Sequence, residues 1–360
     1  MDGRVKPGHD GSCCGQAAEA SSVVKCCHGG LCCGRGAEPP PFVERRHDGL
    51  LCAPADGLPS IVMPGLDPGI HASGIRAMTD TVTYGDWTAQ PERIEEFLAP
   101  TQAKKLAGLL DLDPDKVGDG FGLPPMWHWL YFHASARTAE IGPDGHPRRG
   151  GFFPPVELQR RMYAGSTLTF HEPLRVGAPA TRTGEIASLE EKQGRNGRMV
   201  LAKAVYRFEQ AGRLCMTDEQ SIIYLEPGGR VPAPEPVPFA PPADAEWREV
   251  RPDPVLLFRY SALSYNSHRI HYDREYATGE EGYPGLVVHG PLTALLLAEF
   301  GRSLDGRPPR RLSFRGLAPL FDGALFHLVA RRTDTGAIEL EAIRPDGAVA
   351  NRATLDFHGD

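Results

Sequence analysis

What this chain of 360 residues lacks narrows the field before any motif is read. No apolar run approaches the roughly 18–20 residues that a membrane-spanning helix needs, and the longest apolar helix candidate, Leu292 to Phe300, is far too short. No broad basic field exists. The net charge is -7, which speaks against a general nucleic-acid or membrane-surface role. No metal, flavin or nicotinamide motif is visible. Cysteine is almost missing from the body of the chain. Seven of the eight, at positions 13, 14, 26, 27, 32, 33 and 52, precede residue 53, and only Cys215 follows. One thiol in so long a body suits a reducing compartment, here read as a bacterial cytoplasm.

The first 77 residues do not belong with the rest. They are rich in Gly, Pro and Cys and show neither a 3.6 nor a 2.0 periodicity. Their vicinal cysteine pairs match zinc-ligand spacing poorly, because neighbouring side chains diverge. The phrases Arg4–Gly11 and Val62–His71 resemble translated intergenic repeats of bacterial genomes, and Met78 reads as a start. Residues 1–77 are therefore expected to be a disordered extension outside the working protein. A flexible tail with a redox role is the rival reading.

The remaining chain divides at a proline-rich run. Residues 227–246 contain Val231-Pro-Ala-Pro-Glu-Pro-Val-Pro-Phe-Ala-Pro-Pro242, which neither continues a helix nor pairs inside a sheet, so it reads as an extended linker. The flanking segments, 78–226 and 247–360, share a plan. An apolar stretch with proline near its start, Gly122–Phe132 in one and Gly290–Phe300 in the other, predicts a buried helix in each. Each is followed by Pro-Leu-x-x-Gly, at Pro173–Gly177 and Pro319–Gly323, 146 positions apart. Alternating strand candidates come next, at 180–188 and 199–209, then at 325–333, 338–344 and 348–357. Asn196-Gly197 and Asp346-Gly347 between them are hairpin signals. A helix followed by an antiparallel meander, done twice, predicts an α+β fold in which sheet wraps around helix.

Two polar clusters, about twenty residues apart, carry the chemistry. Asn266-Ser-His-Arg-Ile-His271-Tyr-Asp273 gathers an amide, two imidazoles and a carboxylate. Val287-Val-His289-Gly290-Pro291 opens the second apolar helix. Free backbone N–H groups at a helix start stabilise developing negative charge. A histidine whose unperturbed pKa of about 6.5 lies near working pH suits proton transfer. The pair reads as an acid/base group facing an oxyanion site.

Phe258–Asp273 together with Tyr283–Leu292 resembles the MaoC-like hydratase/dehydratase family of the hot-dog superfamily. The closer likeness is to the branch of mesaconyl-C4-CoA and itaconyl-CoA hydratases and type 2 hydroxyacyl-thioester dehydratases. The resemblance spans about 80–360 and implies a double hot-dog fold, two antiparallel sheets each wrapped around a central helix. The segment 78–226 would be the catalytically degenerate half and 247–360 the catalytic one. It implies His271 as the catalytic histidine and Gly290 as the oxyanion-hole amide. The family's aspartate five residues before the histidine is replaced here by Asn266, which cannot act as a base but can hold water or a β-hydroxyl. His268, Asp273 and His289 are further substrate-site candidates. Arg310 and Arg311, with Arg315, are candidates for coenzyme A phosphates, and Arg259 for a second carboxylate on the acyl group.

The implied activity is reversible hydration of an α,β-unsaturated acyl-CoA, short and either branched or dicarboxylic, with no cofactor beyond the coenzyme A of the substrate. A 3-hydroxyacyl dehydratase using acyl carrier protein, a non-catalytic thioester-binding protein and a thioesterase are the alternatives. Such a chain can pair its own two halves as a compact monomer or associate as a homodimer.

Overall fold

Period-two burial builds most of this molecule. In the strand Gly197–Gln210, Ala202, Ala204, Tyr206 and Phe208 are buried while Lys203, Val205, Arg207 and Glu209 are less so. The computed structural model describes residues 42–43, 82–194, 197–226 and 228–358. In chain order its strands are β1 (Phe42–Val43), β2 (Thr83–Tyr84), β3 (Trp87–Thr88), β4 (Glu92–Phe97), β5 (Arg160–Phe170), β6 (Pro179–Gly194), β7 (Gly197–Gln210), β8 (Arg213–Leu225), β9 (Glu246–Val250), β10 (Arg311–Gly316), β11 (Phe326–Arg332), β12 (Ile338–Ile343) and β13 (Val349–Asp356). Three α-helices accompany them: α1 (Pro100–Leu109), α2 (Pro254–Leu263) and α3 (Gly290–Asp305). No helix among the described residues is long and apolar enough to cross a membrane.

Eleven strands form one continuous antiparallel sheet, in the order β1-β9-β11-β12-β13-β10-β5-β8-β7-β6-β4. From β9 to β4 this order is a palindrome of the two halves: β9 answers β4, β11 answers β6, β12 answers β7, β13 answers β8, and β10 meets β5 at the centre. At that seam Ser313 pairs with Thr167, and the two residues stand 146 apart, the spacing of the two Pro-Leu-x-x-Gly segments. Those segments fold alike. Arg175 bridges Gly122, and Phe321 bridges Val287. A local two-fold repeat thus underlies the α+β hot-dog architecture, with the two expected sheets fused edge to edge.

The central helix exists in the second half only. Proline in the first turn of α3 and Gly306 in left-handed geometry (φ 78°) just past its end mark its limits. Leu292 through Ala298 and Phe300 are all buried, as expected of a helix enclosed by sheet. Gly301 lets it approach the sheet, since a β-carbon there would press on Leu340 and Leu355.

The helix expected over Gly122–Phe132 does not form. By the register of the two bridges, Pro124-Pro125-Met126 occupy the place of His289-Gly290-Pro291. Met126 is left-handed (φ 71°), as is Phe132 (φ 62°), and only one 3₁₀ turn, Trp127–Leu130, lies between them. That turn is buried all the same. Its Trp127 Nε1–H donates to Glu299 on α3 at 2.8 Å. An apolar run signals burial, and burial here is met by a turn lodged against the other half's helix.

Of the expected linker, 227–246, residues 228–245 adopt neither helix nor strand, and Glu246 already opens β9. They lie along the second half, with Val237 N–H bonded to Pro345 O and Phe239 stacked on His327 at 3.7 Å. Residues 1–77 fall outside the described residues, apart from the two of β1, which pair with β9.

Candidate active site

The loop that carries the histidines is set by backbone rules at the end of α2. Ser264 closes the helix, Tyr265 turns left-handed (φ 48°), and the side-chain oxygen of Asn266 accepts the His268 N–H at 3.0 Å. A single 3₁₀ turn, Arg269–His271, then delivers His271. Its Nδ1 lies 2.7 Å from the carbonyl of Val287, so Nδ1 carries the hydrogen and Nε2 is left as the basic nitrogen. The backbone reinforces this tie, with Val287 N–H bonded to Ile270 O. Three residues beyond Val287, α3 begins.

A cavity of about 560 Å³ opens at this point and is lined by Asn266, His268, His271 and Gly290. Four of the nine residues singled out from sequence therefore meet in one space. At the first position of α3 the Gly290 N–H has no partner among the described residues, and Pro291 offers no competing donor. A side chain at Gly290 would crowd the Tyr163 ring, its β-carbon 3.2 Å from Cδ1.

The other five do not reach the cavity. Asp273 accepts from Arg269 Nη2 at 2.7 Å and from Tyr276 N–H at 3.1 Å, so it caps a turn and leaves His271 alone. His289 is fully buried beneath the site. Its ring is stacked on His271 at 3.6 Å, and its Nε2 is 2.8 Å from Ser261 Oγ. It backs the His271 ring and does not line the cavity. Arg259, Arg310 and Arg311 are likewise absent from the lining. Arg259 lies on the exposed face of α2, and Arg310 and Arg311 sit at the start of β10.

The wall opposite was missed, because it comes from the half expected to be degenerate. A tight turn, Gly142–His146, docks on the Asn266–His271 loop: Arg269 N–H bonds Asp144 O at 2.9 Å, and Ser267 Oγ–H bonds Gly145 O at 2.5 Å. Gly145 is required twice over. Its φ is 91°, and any β-carbon would collide with the Ser267 carbonyl. The turn presents His146, whose Nδ1 is 3.1 Å from Asp144 Oδ2, and packs its ring 4.1 Å from that of His268. Asp144, His146 and His268 bring potential metal-ligand atoms within 4.8 Å of one another, though Asp144 and His146 already satisfy each other. The one sequence signal was Pro143-Asp-Gly-His146, a turn dipeptide flanked by two ionisable groups. Nothing in its spacing points across more than 120 residues to His268.

Burial governs the charge of the imidazoles. It pushes His271 down to about 3 and His146 to about 4, and it holds His268 and His289 well below the ordinary histidine range. Their mutual proximity adds to this. Asp144 is brought down to about 2, chiefly by its hydrogen bonds to His146 and despite its own burial. All four rings are neutral at neutral pH, and His271 stands as a base ready to accept a proton.

Five arginines also line the cavity, all from the first half, against two glutamates. Arg160 pairs with Glu281 at 3.2 Å and Arg182 with Glu92 at 2.5 Å. Arg149 is spent on the carbonyls of Val156, Leu158 and Gln159. Arg148 is exposed, and Arg161 is mostly buried. In a chain of net charge -7, this one cavity is cationic.

Comparison with known proteins agrees with this geometry. The family model for hydroxyacyl-thioester dehydratase type 2 matches residues 126–322, more than half of the chain. Mesaconyl-C(4)-CoA hydratase of Chloroflexus aurantiacus is 49% identical over 273 residues, covering 76% of this chain and 97% of that protein. The mitochondrial hydroxyacyl-thioester dehydratase type 2 of Schizosaccharomyces pombe is 27% identical, covering 55% and 74%. Among solved structures, HtdX of Mycobacterium tuberculosis superposes with a TM-score of 0.56 at 19% identity, covering 75% of this chain and all of that one, a likeness of fold. The chain belongs to the type 2 hydroxyacyl-thioester dehydratases, within the MaoC-like hot-dog hydratases and dehydratases.

Proposed function

We propose that this protein reversibly hydrates the double bond of a short dicarboxylic acyl-CoA of the mesaconyl-C4-CoA type. One observation carries the chemistry: the bare Nε2 of His271 and the unpartnered N–H of Gly290 face the same cavity. The likeness to mesaconyl-C(4)-CoA hydratase supports the substrate class.

In the hydration direction, Asn266 uses its oxygen on the His268 N–H and so has its amide hydrogens left to hold the attacking water. His271 Nε2 takes a proton from that water as its oxygen bonds to the β-carbon. The electron pair of the double bond moves onto the thioester, and the negative charge on its oxygen is met by the Gly290 N–H at the positive end of α3. His271 then returns its proton to the α-carbon. Dehydration reverses each step. The missing carboxylate at position 266 is tolerated because Val287 fixes the tautomer of His271 and burial keeps its ring neutral. No cofactor is needed for these steps.

Purified protein offered mesaconyl-C4-CoA, itaconyl-CoA and crotonyl-CoA tests the reading. The expected result is loss of enoyl-thioester absorbance with the first two and hydroxyacyl product by mass. His271→Ala should slow hydration by about 100- to 10,000-fold. Release of free CoA without hydration, or an unchanged rate in His271→Ala, would defeat it.

A further inference from the structure

Arginine inside a cavity demands a counter-charge. Four of the five lining arginines are accounted for, two by glutamates, one by three carbonyls and one by solvent. Arg161 is not. It lies mostly buried on β5, its guanidinium 5.8 Å from the centre of the Phe153 ring, and no carboxylate of the described residues comes within ion-pair distance of it. Its field holds the Tyr224 hydroxyl, which burial keeps protonated and neutral, and Asp144, which is committed to the N–H and Nδ1 of His146. A cation placed this way is costly to the fold unless something else neutralises it when the protein works.

We propose that Arg161 is the specificity-determining group for the substrate, receiving the free carboxylate at the far end of a dicarboxylic acyl chain. This rests on the hydratase reading above and deepens it. The location decides between a carboxylate and the phosphates of coenzyme A, which carry the same kind of charge. Phosphates are bulky and multiply charged and stay near solvent, where Arg148 stands. Arg161 sits against the Phe153 ring and acts on both His146 and His268, and the His268 ring in turn meets that of His271 at 5.3 Å. The planar fork of Arg161 matches a carboxylate bidentately. Arg161 replaces Arg259, the sequence-based candidate for this role, which does not line the cavity.

Steady-state hydration of mesaconyl-C4-CoA and crotonyl-CoA tests it, since both carry the same coenzyme A phosphates and only the first has the distal carboxylate. In Arg161→Gln, kcat/KM for mesaconyl-C4-CoA should fall about 100- to 1,000-fold, because the carboxylate is left buried and unpaired. The value for crotonyl-CoA should stay within about threefold, so that the preference collapses. Arg161→Lys, which keeps the charge and loses the fork, should show the same selective loss in smaller measure, and it serves if Arg161→Gln fails to fold. Equal losses on both substrates would assign Arg161 to phosphate binding or to structure and overturn the proposal, as would no loss on either. Wild-type protein inert towards both thioesters would instead refute the hydratase reading on which it rests.

Discussion

Moving this protein from pH 7.5 to 5.5 protonates histidines of the unfolded chain while leaving the four that cluster at the site neutral in the fold. His146, His268, His271 and His289 are all held below their ordinary pKa of about 6.5 by burial, the highest of them at about 4. Over this interval the unfolded state therefore binds more protons than the folded one, and stability must fall as pH falls. Each such histidine costs on the order of 1 kcal/mol between the two pH values, so four together cost roughly 5 kcal/mol. His327 moves in the same sense. Carboxylates barely contribute, because they titrate lower; Asp144, at about 2, begins to matter only in stronger acid. Stability is thus complete above pH 6.5 and drains away below it. A loss of roughly 5 kcal/mol rivals the whole folding free energy of an ordinary domain, so unfolding is expected at mild acidity. Urea denaturation at the two pH values measures it directly. A change in unfolding free energy below about 1 kcal/mol would show that the histidine cluster is not buried as described.

Two substitutions probe the reacting groups further. Gly290→Ala adds a β-carbon 3.2 Å from a Tyr163 ring that cannot give way, since its hydroxyl bonds Ser166 Oγ at 2.7 Å and its face stacks on Phe314. The start of α3 must shift by a few tenths of an ångström, and kcat should fall about tenfold with little change in Tm, measured side by side. Asn266→Asp keeps the acceptor for the His268 N–H and sets a carboxylate near His271. That favours the protonated ring, so the acid limb of kcat/KM should move up by about one pH unit, and an unmoved limb would place position 266 out of electrical contact with the base.

The hairpins were legible in the sequence because strand alternation and turn chemistry are local. Asp346-Gly347 sits where expected, with Gly347 at φ 80°, and β11, β12 and β13 lie within two residues of their predicted limits. That Asn266, His271 and Gly290 share one cavity was legible too, because Asn266 and His271 belong to one short loop and His289-Gly290-Pro291 is a helix start. The Asn196-Gly197 turn lies partly outside the described residues, but the flanking β6 and β7 pair as expected. What could not be read was anything decided between the halves. Gly122–Phe132 looks like a helix, but two left-handed residues break it and its Trp127 is tied to Glu299 of the other half. The docking of Asp144 and His146 against the catalytic loop depends on contacts spanning more than 120 residues. His289 and Asp273 carried the right chemistry for the site, but their partners, Ser261 and Arg269, turned them to structural ends.

The seam between β5 and β10 has a consequence for how this protein can change. Two identical chains meeting at Thr167 and Ser313 would have to place the same side chains on both walls of each site, so any gain in substrate recognition would alter the acid/base wall as well. Joined in one chain, the halves are free of that constraint. The first has given up the histidine, the glycine and even the helix, and holds five arginines at the cavity instead. On the reading proposed above, reaction and recognition are encoded in separate stretches of sequence. Substitutions confined to residues 142–182 would then redirect the choice of acyl group while His271, Asn266 and Gly290 remain as they are.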